Sequence, residues 1–595
     1  MPSSSSKGGG TGDSSGPSAG PAKAAPPAPG AAEPTTPPPA PRPTRRAADQ
    51  IIDILAAQGI RTVFGIPGGA IAPLHDALLD HPEIRAITCK HESNAVFAAA
   101  AYARATESVG VVLVTSGPGV TNAITGLASA YCDSLPVVLL AGEVPRAMHG
   151  RGALQEGSIY TIDLRAMVQR ITKATFELTA SQGTATVIGK AIATARSGRQ
   201  GPVFVNLPVD VTREPVAPPK IGAQVSSQFT VAPLLLDEVA DLLAGAERPM
   251  ILVGSGARWG RGPEQLVRLA ERGRIPVATT PKAKGVFPED HPLSLGIYGH
   301  AGHEAARRYL EEEVDVLFAV ATGFGELATH GWRSPMKAHK AFLQLDIDGA
   351  QIGKNYAVDI GLVGPAEVIL RQLLERLPQS RRLHEVRRFQ PATDPRKATD
   401  GKRLAPQRAL WELQRVLPED AIWCVDIGNH HAFALHYLQL KRPDCFFFSS
   451  GLGSMASSIG AAIGVKLARP DRPVVCLCGD GTITMAGTEL LTAAQQELPI
   501  LFAVMNNGRY GMVEDGNTRI FGRTPRYPTG PLDLAALAGA LGCTSLTASR
   551  PGDIEKLDLA ERDGRPILLD ISVDGDEPAP GGDRFATLAT VKEGL

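Results

Sequence analysis

Two short motifs near the C-terminus carry residue types suited to metal and phosphate chemistry. The first, Gly479-Asp480-Gly481-Thr482, closes the apolar run 473–478. The second, Asn506-Asn507, closes the apolar run 500–505 and places Asn507 27 residues beyond Asp480. Each run is short and continuous, the pattern of a buried strand, and 488–496 between them reads as a helix. The unit is strand–loop–helix–strand, with an acid in one loop and an amide in the next. In an open parallel sheet both loops lie at the carboxyl edge, where ligands bind. A carboxylate with an amide oxygen is a hard-oxygen pair, suited to Mg²⁺ or Ca²⁺ over Zn²⁺. The glycines let backbone N–H groups turn toward an anion. A divalent ion with a diphosphate is the expected occupant. Gly-Asp-Gly alone is also an ordinary turn; the spacing to the double Asn makes it specific.

The elements that position these motifs form three blocks, as 595 residues lead one to expect. In the first block, 62–66, 111–115, 136–140 and 203–208 read as strands, and continuous apolar strands suit a sheet buried on both faces. A Pro-rich aperiodic stretch, 214–228, follows as a linker. The second block has strands at 249–254, 316–320 and 341–346, and a charged, Pro-containing linker runs over 380–404. The third block holds the two motifs. The predicted fold is α/β, three successive doubly wound parallel-sheet domains over 46–215, 229–380 and 405–580. Residues 1–45 are Ser, Gly, Pro and Ala with almost no large apolar side chain. Such a segment cannot bury enough surface to offset its ordering entropy, so a disordered tail is expected. Scarce Arg and the acids Asp13 and Glu33 weigh against a targeting role.

Net charge is −1 and apolar content 43%, which advertises a core and no basic nucleic-acid face. The seven Cys show no CxxC pair, which reads as reduced thiols in a cytoplasmic protein. No run approaches the ~18 apolar residues of a membrane helix.

The Asp480…Asn507 spacing and the double Asn match the thiamin-diphosphate signature. Over roughly 46–580 the chain resembles the acetolactate-synthase-like thiamin-diphosphate enzymes. The resemblance implies pyrimidine-binding, central and diphosphate-binding domains in that order. It implies that Asp480, Asn507 and the main-chain carbonyl of Arg509 hold Mg²⁺, and that Gly479, Gly481 and Thr482 lie along the cofactor. Glu92, in Lys90-His91-Glu92-Ser93-Asn94, stands where a strand at 84–88 meets an Ala-rich helix at 95–103. From position alone it also suits a first-turn helix acid. The resemblance makes it the carboxyl that promotes the imino tautomer of the aminopyrimidine. By the same likeness Gly428-Asn429-His430 contacts the diphosphate. The Gly453 carbonyl and Met455 amide of Gly451-Leu452-Gly453-Ser454-Met455 grip the aminopyrimidine. Gly511-Met512-Val513 supplies, in Met512, the wedge that bends the cofactor. Thr115 to Asn122, strand–turn–helix punctuation in its plainest reading, matches a further cofactor loop. Because Glu92 and the cofactor loops come from different subunits in this family, a homodimer or homotetramer is implied.

The family's flavin-contacting Gly-Ala-Arg-Phe-Asp-Asp-Arg-Val-Thr falls on Ala321-Thr322-Gly323-Phe324-Gly325-Glu326-Leu327-Ala328-Thr329, which lacks both arginines. FAD binding is therefore doubtful. Leu154 replaces a Phe, Thr179 a lysine and Gly516 a tryptophan, so a different or larger acceptor is expected. Gln155 remains to hydrogen-bond the bound intermediate. Arg151, with His149 beside it, suits a substrate carboxylate or an ordinary solvated surface. The leading expectation is decarboxylation of a 2-oxo acid, chiefly pyruvate, with carboligation of the enamine to a carbonyl acceptor. The alternatives are acetolactate synthase of branched-chain biosynthesis, a simple decarboxylase, and a catalytically silent regulatory relative. Joint retention of Glu92, Asp480 and Asn507 argues against the last.

Overall fold

The computed structural model describes residues 45–217, 231–312, 314–332, 336, 338–380, 386, 389–396, 403–557 and 564–581. The expected tail up to residue 44, the linker from 218 on and parts of 380–404 lie outside them.

Three six-stranded parallel sheets follow one another along the chain. The first contains β1 (Thr62–Gly65), β2 (Arg85–Thr88), β3 (Gly110–Val114), β4 (Val137–Glu143), β5 (Ala174–Glu177) and β6 (Val203–Pro208). Their spatial order is β2-β1-β3-β4-β6-β5. The second contains β7 (Pro249–Val253), β8 (Val277–Thr279), β9 (Ser294–Ile297), β10 (Val316–Val320), β11 (Ala341–Asp346) and β12 (Ile360–Val363), ordered β12-β11-β10-β7-β8-β9. The third contains β13 (Ile422–Val425), β14 (Phe446–Phe448), β15 (Val474–Gly479), β16 (Ile500–Asn506), β17 (Thr544–Ala548) and β18 (Ile567–Ser572), ordered β14-β13-β15-β16-β18-β17. Each sheet has a separate apolar core on each face, for example one around Trp423 and Phe433 and another around Ile459 and Phe502 in the third. Two-sided burial is what continuous apolar strands demand.

The strand orders decide where ligands can bind. In the third sheet the chain steps from β13 outward to β14, then returns to the other side of β13 for β15. The crevice of such a reversal opens at the carboxyl ends of β13 and β15. That is where Gly428 and Asp480 stand.

The second sheet is fastened to the third through a buried ion pair. Lys284 Nζ donates to Glu289 Oε1 at 2.7 Å and to the Leu435 carbonyl at 2.9 Å, and Glu289 Oε2 accepts from the Leu440 N–H at 2.7 Å. The two side chains are 0% and 1% exposed. Burial lowers the lysine's pKa and raises the glutamate's, with their mutual attraction opposing both. Removing one member strands the other charge. Glu289→Ala is therefore expected to cost about 3–5 kcal/mol, seen as a lowered thermal midpoint. Pairing it with Lys284→Met should recover most of the loss, because no buried charge then remains.

Candidate active site

Asp480 is not in a turn. It is the first residue of a helix, Asp480–Ala486, that starts directly after β15, and a 3₁₀ turn at Gly487–Glu489 leads into Leu490–Gln495. The expected helix at 488–496 is thus the tail of a longer helical crossover. β15 and β16 are adjacent and parallel, with Gly479 opposite Met505, so Asp480 and Asn507 emerge from neighbouring strand ends.

Asp480 is buried, and its carboxylate accepts from the Thr529 hydroxyl. Burial pushes its pKa up; the Thr529 hydroxyl and the backbone amides of Gly481 and Gly508 oppose that rise. Of the two asparagines, Asn506 donates to Asp570 at 3.0 Å, while Asn507 Oδ1 accepts, among the described residues, only a 3.3 Å contact from the Arg509 N–H. The Arg509 carbonyl accepts from the Gly511 N–H at 2.8 Å and keeps a second lone pair. One carboxylate, one amide oxygen and one carbonyl make a donor set that fits a hard divalent ion.

Across the crevice, Gly428 leads into the helix Asn429–Tyr437. A Cβ on Gly428 would lie 2.5 Å from the His430 ring, so no larger residue fits. His430 is buried, and burial lowers its pKa to about 4, so its imidazole is neutral. Its Nε2 has no hydrogen-bond partner among the described residues. An orphaned buried nitrogen beside Gly479, whose Cβ would lie 3.4 Å from His430 Nδ1, fits a phosphate oxygen. Gly511, the first residue of the helix Gly511–Phe521, completes the cradle. A Cβ there would meet Asn507 Nδ2 at 2.7 Å and Asn429 Nδ2 at 3.3 Å. Met512 is half-buried and Val513 exposed. The Thr482 hydroxyl is turned inward, donating to Asp426 at 2.5 Å, which leaves only its backbone for an anion.

A second group gathers at the carboxyl edge of the first sheet. Glu92 begins the helix Glu92–Thr106, whose N-cap His91 accepts from the Ser93 N–H at 3.2 Å. Glu92 is buried, and its Oε2 accepts from Asn122 Nδ2 at 3.0 Å. Asn122 lies in the first turns of Pro118–Asp133. Gln155 is exposed, at φ +63°, with its carbonyl accepting from Ser116 at 2.7 Å. Arg151 is likewise exposed.

The loop 453–455 leads into a helix, Ser457–Ala468, that packs on Glu92–Thr106: a Cβ on Gly460 would lie 2.7 Å from the Asn94 carbonyl oxygen. Gly451 donates its N–H to Asp133 at 3.0 Å, at the far end of the helix Pro118–Asp133 that carries Asn122. Arg104, toward the other end of the helix that Glu92 begins, donates to the Phe446 carbonyl and stacks over Phe447. Both contacts fasten the segment 446–451, just before the loop 453–455, to helices of the first sheet. In this loop Gly453 sits at φ +75°, a conformation that favours glycine.

Two positioning acids escaped the sequence reading. Glu143, at the end of β4 and fully buried, accepts from Ser116 at 3.0 Å and from the Gly157 N–H at 3.2 Å, fastening the segments around Gly117 and Gln155. Asp426 accepts from the Ala456 N–H at 2.7 Å as well as from Thr482, so it ties loop 453–455 to the Asp480 helix. Burial pushes its pKa up. An acid closing an otherwise apolar run was the available signal for both.

In the second sheet, the segment 321–329 packs Phe324 inward against Phe342 and Tyr356. Lys282 is paired with Asp133 at 2.7 Å, and Arg258 donates to the carbonyls of Ser255 and Lys282.

Three family models match in the order of the three sheets. They are the thiamine pyrophosphate enzyme N-terminal TPP binding domain over residues 45–162, the central domain over 236–373 and the C-terminal TPP binding domain over 426–571. A probable acetolactate synthase large subunit of Methanocaldococcus jannaschii is 36% identical, across 90% of this chain and 93% of that protein. The acetolactate synthase isozyme 3 large subunit of Escherichia coli K12 is 35% identical, across 89% and 95%. An acetolactate synthase of Mycobacterium bovis is 34% identical, across 89% and 88%. The chain belongs to the thiamine pyrophosphate enzymes of the acetolactate-synthase-like family.

Proposed function

We propose that this protein uses thiamin diphosphate and Mg²⁺ to decarboxylate a 2-oxo acid, pyruvate foremost, and to ligate the remaining fragment to a carbonyl acceptor. The observation that carries this is the meeting of Asp480, Asn507 and the orphaned His430 nitrogen at one strand-order reversal. Thiamin diphosphate, when bound, supplies the nucleophilic carbon and the electron sink that decarboxylation requires. In this reading Asp480, Asn507 and the Arg509 carbonyl hold the ion. Gly428, Asn429, His430, Gly479, Gly481 and Thr482 face the diphosphate. Gly453, Met455, Gly511, Met512 and Val513 position the rings. The Glu92 carboxyl hydrogen-bonds the pyrimidine, and Gln155 hydrogen-bonds the reacting carbonyl. We also propose a cytoplasmic location, for which the seven free thiols are the support.

Acetolactate synthase itself is the second reading, favoured by the names of the relatives at 34–36% identity. Against it stand Leu154, Thr179 and Gly516, which remove an aromatic wall and a cation from the acceptor side. The protein is also proposed to work without flavin, because the segment 321–329 lacks both arginines and Lys282 is already paired with Asp133. Purified protein should be colourless and its activity indifferent to added FAD; stoichiometric FAD absorbance would bring the second reading forward.

A second copy of the chain is part of this proposal, because the family resemblance puts Glu92 and the cofactor loops on different subunits. The active unit is thus a dimer, or a tetramer of such dimers. Glu92→Gln and Asp480→Ala chains, each inactive alone, should regain pyruvate turnover when co-expressed. Random pairing leaves one intact composite site in half the dimers, giving roughly a quarter of wild-type activity. Purified hybrids without activity would contradict a shared site.

A further inference from the structure

Gly428 is held in place from outside its own sheet. Its N–H donates to His431 Nδ1 at 3.3 Å, and the His431 N–H returns to the Gly428 carbonyl at 3.0 Å. His431 thereby acts as the third helical residue of a capping box, reaching back to the residue before the helix. A ring nitrogen that accepts carries no proton, so the neutral His431 ring is protonated at Nε2. That Nε2 lies 3.1 Å from His300 Nε2 and donates to it. Both rings are buried, at 7% and 4% exposure. His300 belongs to the second sheet's domain, just beyond β9, and its backbone N–H donates to the Leu327 carbonyl at 2.7 Å. The far side of His431 rests on Phe448, with ring centroids 5.2 Å apart.

We propose that His300 is a positioning residue for the cofactor's diphosphate loop. From the central domain it fixes the tautomer and the plane of His431, which in turn fixes Gly428 and the register of Asn429 and His430. The central domain then sets thiamin diphosphate affinity through one histidine–histidine hydrogen bond. This rests on the reading of Gly428-Asn429-His430 as the diphosphate loop. A side chain at 300 that cannot accept removes this bond to the buried His431 Nε2–H, and the plane of the ring is no longer fixed from the central domain.

The test is calorimetry of thiamin diphosphate with saturating Mg²⁺ on the full chain, with apo thermal midpoints measured alongside. His300→Leu should bind about tenfold more weakly. His300→Gln, whose side-chain carbonyl can accept from His431, should stay within about twofold of wild type. Their apo midpoints should be alike, which a purely structural role would not give together with different affinities. His430→Ala serves as reference and should weaken binding. His300→Leu binding as wild type beside a weakened His430→Ala would overturn the proposal, as would His300→Gln binding no better than His300→Leu. If His300→Leu and His430→Ala both bind as wild type, the diphosphate-loop reading fails first. Should His300→Leu not fold, His431→Leu removes the same bond from the other side. His431→Gln, which restores a capping side chain and a donor, is then its comparison, with the same two overturning results.

Discussion

Glu92→Gln should leave thiamin diphosphate affinity within a few-fold of wild type while pyruvate turnover falls by about 10²–10⁴-fold. The amide fills the same volume at the head of Glu92–Thr106, and its oxygen can still accept from Asn122, so the helix start and the neighbouring loop persist. What the amide cannot do is take or release a carboxyl proton. A general acid–base group is worth that range because it acts as charge develops, leaving ground-state binding nearly untouched. Isothermal titration and steady-state kinetics on one preparation separate the two effects. Turnover near wild type would remove Glu92 from the chemistry and leave it a helix-capping acid.

Asp480→Ala should act on binding. The carboxylate is the only charged member of the proposed donor set, and without it the ion bridging the diphosphate to the protein loses its anchor. A loss of at least about 100-fold in the apparent affinity for Mg²⁺ with thiamin diphosphate is expected, from one charged contact of ~1.5–3 kcal/mol plus the diphosphate contacts that depend on the ion. The apo protein should fold as before, since Asp480 is a buried carboxylate whose described neighbours offer hydroxyl and amide donors and no cation. Unchanged affinity would mean that Gly479-Asp480-Gly481 merely starts a helix.

The strands that carry Asp480 and Asn507 were legible because they are central. β15 and β16 are buried on both faces, so their sequences are continuous apolar runs that stop where the loops begin. Edge strands such as β5 (Ala174–Glu177) and β17 (Thr544–Ala548) are half-exposed and mix polar with apolar residues, and the sequence reading passed over them. β18 was missed for another reason: Asp570 interrupts its apolar run because it accepts from Asn506 across the ladder. The helix starting at Asp480 was hidden by Gly481, Thr482, Ile483 and Thr484, all weak helix formers. Its buried contact from Thr482 to Asp426 overrides that propensity. The bond between His300 and His431 joins residues 131 positions apart, and no local pattern announces it. The same holds for the contact of Gly451 with Asp133, 318 positions away.

The most direct test follows [1-¹³C]pyruvate and [2-¹³C]pyruvate by NMR in purified protein, with and without thiamin diphosphate and Mg²⁺, and with and without a second carbonyl compound. The expected result is ¹³CO₂ release from the first label only when both cofactors are present, and entry of the second label into a product with a new carbon–carbon bond. Acetaldehyde as the sole product would reduce the activity to simple decarboxylation. Pyruvate left intact in the fully loaded protein, or consumed equally without thiamin diphosphate and Mg²⁺, would contradict the proposed function.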